Sequence, residues 1–447
     1  MEETIKEKAQ EIVNTLQKHG FQAYWAGGCV RDLVMETEPQ DYDIATAASP
    51  DQVQSIFPRT IPVGAQFGVV LVLLDDIQFQ VATFRGEQQS SDDPLTSDAS
   101  LRDFTINGLF YDPLRERILD FVGGKQDIHR KIIRAIGNPY FRFKEDKLRP
   151  MRGVRLAVRY NFTIEENTYR AMQEVSSDIL QVSTERVRDE LVRILTEGQP
   201  ALGMRLLLET GILHHILPEI VAMKGVEQPP QYHPEGDVFT HTLLALQKMR
   251  SPSVELAMGT LLHDVGKPRV YAENNRITFN SHDKVGAEIA FQVCQRLRFS
   301  RKETERIISL VKDHLKFIQV QRMRPNKLKR FLGQVGFEEH LELHRLDCIA
   351  SHDNLENWDF CCHKLEELSA GEVRPPRLIN GHDLIGRGYT PGPIFGKILS
   401  LVEDAQFDEK IFTQKGALQL AEELLSSEGI FPNTPLGEKI WKTEEKS

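Results

Sequence analysis

The sequence predicts an α+β head with a small mixed sheet, followed by an all-helical remainder, and three observations point that way. Residues 21–26, 40–45, 69–74 and 78–84 are short apolar segments separated by turn signals at Gln66-Phe67-Gly68 and Asp75-Asp76, as strands are. A glycine pair, Gly27-Gly28, directly follows the first of them, where a buried strand hands over to a turn. From about Phe141 the apolar period turns helical and stays so almost to the C-terminus.

Residues 1–20 read as an amphipathic helix ending at Lys18-His19-Gly20. The next segment delivers Gly27-Gly28-Cys29-Val30-Arg31-Asp32, and Asp41-Tyr42-Asp43 follows nine residues later. Paired glycines let backbone N–H groups approach phosphate oxygens, and a following helix N-terminus adds a favourable dipole. On a strand over 40–45, Asp41 and Asp43 project from one face because side chains alternate. Two carboxylates so placed suit Mg²⁺, the arrangement that in-line nucleotidyl transfer uses. Residues 86–100 are rich in Ser, Asp and Gln and are expected to form a mobile loop. Residues 130–159 form a basic island, where Glu145 and Asp146 are the only acids among ten Lys and Arg. Within it Arg152, Arg155 and Arg159 share one helix face, which beside a nucleotide site makes a track for nucleic acid.

Composition sets the outer bounds. At 447 residues the chain has length for about two to four domains. Hydrophobic content of 40% and charged content of 27% are those of an ordinary soluble protein. No apolar run approaches the ~18 residues of a membrane span, and residues 1–8 lack the apolar core of a signal peptide. Five cysteines without a zinc-type repeat imply reduced thiols and a cytoplasmic location. The net charge of −10 argues against indiscriminate nucleic-acid binding, but phosphate contacts are local and a basic track stays compatible with it.

In order along nearly the whole chain, these residues resemble the class II tRNA nucleotidyltransferase and bacterial poly(A) polymerase family, whose head is DNA polymerase β-like. Gly27-Gly28-x-x-Arg31-Asp32 with Asp41-x-Asp43 is similar to its first motif, and Arg102-Asp103-Phe104-Thr105-Ile106-Asn107 to its ribose and triphosphate motif. Asp120-Phe121-Val122-Gly123-Gly124-x-x-Asp127 resembles the hinge between head and neck, and Glu145-Asp146-x-x-Arg149 the amino-acid template that selects the base. Residues 185–195, which include Arg186 and Arg193, resemble the helix that braces the template. The resemblance implies a head over 1–137, a helical neck over 138–200, a helical body over 201–355 and a helical tail over 356–447.

The chemistry of these residues agrees with that reading. Arg102 or Asp103 offers a polar group to a ribose 2′-OH, and Asn107 suits a phosphate or sugar oxygen. Asp146 and Arg149, three apart on a helix, face the same way. A carboxylate accepts from the exocyclic amine of C or A, and a guanidinium donates to their ring acceptors, which disfavours G and U. Arg152 and Arg155 are expected beside the nucleotide, and Arg159, Arg186 and Arg193 on RNA.

Two departures stand out. Gln80 occupies the position where relatives commonly carry a carboxylate, so a third metal-linked carboxylate is missing there. The segment between Arg85 and Arg102 is shorter than in relatives that build a whole CCA end, and Leu101 stands where an arginine is usual. That resemblance points to a specialist that stops after two cytidines.

Downstream, Leu261-Leu262-His263-Asp264-Val265-Gly266-Lys267 resembles the HD phosphohydrolase signature. His241, His263, Asp264 and Asp347 are the expected ligands of a divalent transition metal, with His282 and His314 as further candidates. His382-Asp383, which follows an Asn380-Gly381 turn, is expected to cap a helix instead. The expected activity is transfer of C and A from CTP and ATP to a tRNA acceptor end, with Mg²⁺ at Asp41 and Asp43 and release of pyrophosphate. The rivals are a poly(A) polymerase and an HD hydrolase whose head only binds RNA.

Overall fold

The computed structural model describes residues 4–62, 68–86, 93–273, 276–368, 376–408 and 410–432. Two units divide the chain, Met1–Lys312 and Asp313–Ser447.

The first unit opens with α1 (Ile5–Lys18), whose capping box pairs Thr4 with Glu7. Its Ala9, Ile12, Val13 and Leu16 are buried, the helical spacing of a core-facing stripe. Beneath it lies a seven-stranded sheet. Its elements are β1 (Ala23–Ala26), α2 (Gly28–Val34), β2 (Ile44–Thr46), α3 (Pro50–Ile56), β3 (Thr60–Ile61), β4 (Val69–Leu74), β5 (Ile77–Thr83), α4 (Pro94–Ser100), β6 (Leu109–Asp112) and β7 (Arg117–Asp120). The strand order is β3-β4-β5-β2-β1-β6-β7. β2 runs parallel to β5, and the other neighbours are antiparallel. The expected mixed sheet is therefore present, with β1 in its interior between β2 and β6: Trp25 is fully buried between Tyr42 and Tyr111.

One expectation fails here. The polar stretch 86–100 is not a loop throughout, because Pro94–Ser100 is helical. Pro94 suits the first helical turn, the Asp93 carboxylate accepts from Thr96 N, and buried Leu95 and Ala99 anchor one face. Residues 87–92 of that stretch, and Gln66 and Phe67 of the expected turn, lie outside the described residues.

The segment after β7 is fixed by one side chain. The Asp120 carboxylate accepts from the amides of Val122, Gly123, Gly124 and Lys125 at 2.8–3.1 Å, and so starts α5 (Gly124–Arg130). In α5, buried Asp127 accepts from Thr105 Oγ1 at 2.7 Å and from Arg134 Nε at 3.0 Å. Beyond the short β8 (Ile132–Ile133) come α6 (Pro139–Glu145), α7 (Arg149–Tyr160), β9 (Thr163–Ile164), α8 (Glu166–Glu174) and α9 (Thr184–Thr196). α7 joins two cores: its Leu156 and Ala157 pack with the sheet side chains, whereas Met151 and Val154 pack with the helices that follow.

The second unit has two small helical cores, one around Phe317, Phe331 and Phe337 and one around Leu384, Phe395 and Leu425. Asp383 caps its helix as expected, its carboxylate accepting from Asn380 N at 2.7 Å.

A Cβ on Gly124 would sit 2.2 Å from the Thr105 carbonyl oxygen, and a backbone atom there has no room to yield. Gly124→Ala should cost about 2–3 kcal/mol by overpacking, measured as a lower urea midpoint with an unchanged slope.

Candidate active site and metal centre

β1 hands over to a turn at Gly27, whose φ of 75° is a left-handed backbone that glycine adopts without strain. A Cβ there would lie 3.2 Å from Arg102 Nη1. α2 starts at Gly28 with no side-chain cap on its first amides, which leaves donors for an anion.

Asp41 and Asp43 precede β2, which starts at Ile44, and so lie outside the regular strand expected to hold them. Alternation extends to them all the same: Tyr42 is buried and both aspartates are open. The Asp43 carbonyl accepts from Ala26 N at 2.9 Å, so a single bond to β1 carries the ladder past the strand end. Gln80 precedes Val81, the β5 partner of Ile44, and thus occupies the sheet position beside Asp43.

These residues line a cleft of about 810 Å³ with eight arginines and six acids in its wall. Four of the acids are neutralised. Arg31 pairs with Asp32 at 2.8 Å, Arg152 with Asp103 at 3.0 Å, Arg186 with Asp146 at 3.0 Å and Arg159 with Glu197 at 3.1 Å. Among the described residues, no hydrogen bond or ion pair reaches the carboxylate of Asp41 or Asp43. Desolvation by the surrounding cleft wall and then the Asp41 charge push the Asp43 carboxyl above its ordinary value, against the pull of Arg102. A divalent cation would relieve both penalties, so this donor set fits Mg²⁺.

Arg31, buried in the wall, donates from Nη1 to Asn107 Oδ1 at 2.7 Å and from Nε and Nη2 to Asp32. Asn107 Nδ2 donates in turn to Asp103 at 3.1 Å. Burial pushes the Asp103 carboxyl up, but Arg152 and Asn107 hold it below its ordinary value. Arg102 is tied to buried Asp98 at 2.8 Å and lies over the Phe110 ring.

Asp146 and Arg149 both line the cleft, but they do not share a helix face as expected. α6 ends at Glu145, Asp146 is extended at φ −138°, and α7 begins at Arg149. The Asp146 carboxylate accepts from Leu148 N at 3.2 Å, and this turn breaks the helix. Arg149 is held by the Arg142 carbonyl at 2.7 Å and by Glu145 at 2.8 Å. Glu145 thus braces Arg149 and Arg186 braces Asp146, and neither Glu145 nor Arg186 lines the cleft. Arg155 is buried against Glu190 at 2.7 Å, and it lines the cleft together with Arg159 and Arg193. Five lining residues had not been singled out from sequence: Gln40, Arg85, Leu156, Tyr160 and Glu197. Arg85 follows Thr83-Phe84 and Tyr160 follows Arg159, so position was their only signal; Glu197 carried none.

A second cluster lies elsewhere in the first unit. His241, His263, Asp264 and His282 are all buried. The Nδ1 atoms of His263 and His282 face the carbonyls of Thr260 and Phe279 at 2.8 Å, and His241 Nδ1 faces Glu235 at 2.7 Å. Each ring therefore carries its proton on Nδ1 and turns an Nε2 lone pair inward. His241 Nε2 and His263 Nε2 stand 3.2 Å apart, where bare lone pairs repel unless a cation lies between them, so the cluster fits a metal. Lys267 bonds Asp264 at 2.6 Å. His314 and Asp347 belong to the second unit.

Comparison with known proteins follows this geometry. The Poly A polymerase head domain family matches residues 23–134. The family described as the probable RNA and SrmB-binding site of polymerase A matches 161–223, and the HD domain family matches 238–357. A CCA-adding enzyme of Geobacillus sp. (strain WCH70) is 37% identical over 427 residues, covering 92% of this chain and 94% of that enzyme. The chain belongs to the CCA-adding enzyme family. A further CCA-adding enzyme, from Levilactobacillus brevis, is 30% identical over 438 residues, 93% of this chain and 97% of its own. The crystal structure of the Bacillus stearothermophilus CCA-adding enzyme in complex with CTP shares the fold at a TM-score of 0.68 and 25% identity, over 96% of this chain and 100% of that one. Membership among the CCA-adding enzymes accounts for a polymerase head, an RNA-binding segment and an HD domain in that order.

The raised Asp43 carboxyl has a consequence for stability. The folded protein holds this proton more tightly than the unfolded chain does, so the ionised side chain costs stability above its folded pKa. In metal-free buffer at pH 7, Asp43→Asn should raise Tm. The gain should shrink as pH falls toward the ordinary value of 3.8.

Proposed function

We propose that this protein extends the 3′ end of tRNA with C from CTP and A from ATP, without a nucleic-acid template. One observation carries the reading: the two unneutralised carboxylates share a cleft with Asp146 and Arg149, a base-reading pair. The Gly27-Gly28 turn and Arg31 bind the triphosphate, and Arg102 adds positive charge beside it. Asp146 accepts from the exocyclic amine of C or A while Arg149 donates to a ring acceptor. Arg155, Arg159 and Arg193 grip the phosphates of the RNA end. The RNA 3′-oxygen bonds to the α-phosphorus as the α–β P–O bond breaks in line, its proton passes to water and pyrophosphate leaves. Asp41 and Asp43 would hold Mg²⁺, which when bound supplies charge neutralisation on the triphosphate and acidifies the attacking hydroxyl.

A second reading, that addition stops after two cytidines, is favoured by how the short segment before Arg102 is tied down. Asp98 of α4 accepts from Arg85 N and from Arg102, and the Ser100 carbonyl accepts from Arg142 at 2.6 Å. A helix bonded to the cleft wall through Asp98 and Ser100 has little freedom to remodel the pocket from C to A.

The test is a tRNA transcript lacking its CCA end, offered CTP, ATP or both. Two added residues with both nucleotides present support the stop after CC, three support full CCA addition, and a long A tail replaces both with a poly(A) polymerase. Asp41→Asn with Asp43→Asn should lower the rate at least 10³-fold, a loss on the scale of removing a major electrostatic stabiliser. The histidine cluster supports a metal-dependent phosphoester hydrolase centre. His263→Asn should reduce bound transition metal, read by elemental analysis, and leave nucleotide addition intact.

A further inference from the structure

We infer that Tyr160 is a positioning residue for the triphosphate: its ring fixes the plane of Arg31 and couples that arginine to the helix that carries the base reader. This rests on the nucleotidyltransferase reading. The Arg31 guanidinium lies 4.4 Å from the centroid of the Tyr160 ring. Asp32 and Asn107 hold the edge of the same guanidinium, so edge contacts come from the head and the face contact comes from the neck. Tyr160 lines the cleft beside Arg31. Its hydroxyl is buried without a hydrogen-bond partner among the described residues, so the fold uses the ring and not the oxygen. Phe162 packs against the ring at 6.0 Å, and Asn161, left-handed at φ 55°, ends the helix just behind it.

The placement of Tyr160 gives this contact its function. It is the last residue of α7 and Arg149 is the first. Its twelve residues place the two ends eleven steps apart, roughly 16 Å at 1.5 Å per residue. α7 is buried along most of its length, between the sheet core and the helical core, so it acts as a rigid rod. One end reads the base and the other end clamps the arginine that holds phosphate. A guanidinium restrained on an aromatic face loses less freedom when it binds an anion.

The test measures CTP binding and steady-state addition for wild type, Tyr160→Leu and Tyr160→Phe. Tyr160→Leu should weaken CTP binding and raise KM for CTP about tenfold, the size of a partly desolvated cation–π contact. The KM for tRNA and the preference for CTP over UTP should stay put. Tyr160→Phe keeps the ring and should restore CTP affinity to within about threefold; it should also raise Tm, since it removes an unpartnered buried hydroxyl. Wild-type CTP affinity in Tyr160→Leu overturns the inference, as does a Tyr160→Phe variant as weak as Tyr160→Leu. If wild type binds CTP but adds nothing to RNA, the functional reading falls, and weaker CTP binding by Tyr160→Leu still supports the positioning role.

Discussion

Charge neutralisation inside one cleft is the constraint on which the rest of the structure depends. Eight arginines crowd its wall, and such a concentration of like charge is tolerable only with counter-ions built into the fold. Asp32, Asp98, Asp103, Glu145, Glu190 and Glu197 serve as those counter-ions, drawn from different elements and turns. Pairing sets the direction of every guanidinium, because an arginine bonded along one edge offers the other to a ligand. Asp41 and Asp43 alone are left over, and that exception turns a basic groove into a candidate catalytic site.

The same pairing ties the pieces of the first unit together. Asp103 lies between β5 and β6 in the chain, and Arg152 belongs to α7. Asp146 sits between two neck helices, and Arg186 belongs to α9. The ion pairs thus cross from one packed layer to the next at the positions where the cleft needs fixed geometry. Buried pairs of this kind contribute little net stability, since desolvation offsets much of their attraction. Their effect is to define one arrangement of side chains among many.

Sequence carried the fold class, a mixed sheet followed by helices, and pointed to residues that meet in one cleft. Gly27, Arg31, Asp41, Asp43, Asp146 and Arg149 were all legible, because a turn, an alternating pair and a short charged motif are local signals. The reading failed where tertiary contacts outweigh local pattern. Residues 94–100 looked like loop from their polarity, but Leu95 and Ala99 found burial and Asp93 supplied a cap. The helix expected to carry both Asp146 and Arg149 is broken, because the Asp146 side chain bonds the backbone ahead of it. Glu197 gave no warning and Tyr160 only its place after Arg159, since their contacts come from partners 38 and 129 residues away, Arg159 and Arg31.

Glu145 illustrates how far a site extends beyond its lining. It does not line the cleft, yet one of its oxygens accepts from Arg142 and from Arg149, and Arg142 also reaches back to the short helix before Arg102. The Arg149 guanidinium and the tethering of that helix therefore hang on a single acidic hub. Drift at position 145 would shift both together, a route to reshaping one side of the cleft that leaves every residue lining it unchanged.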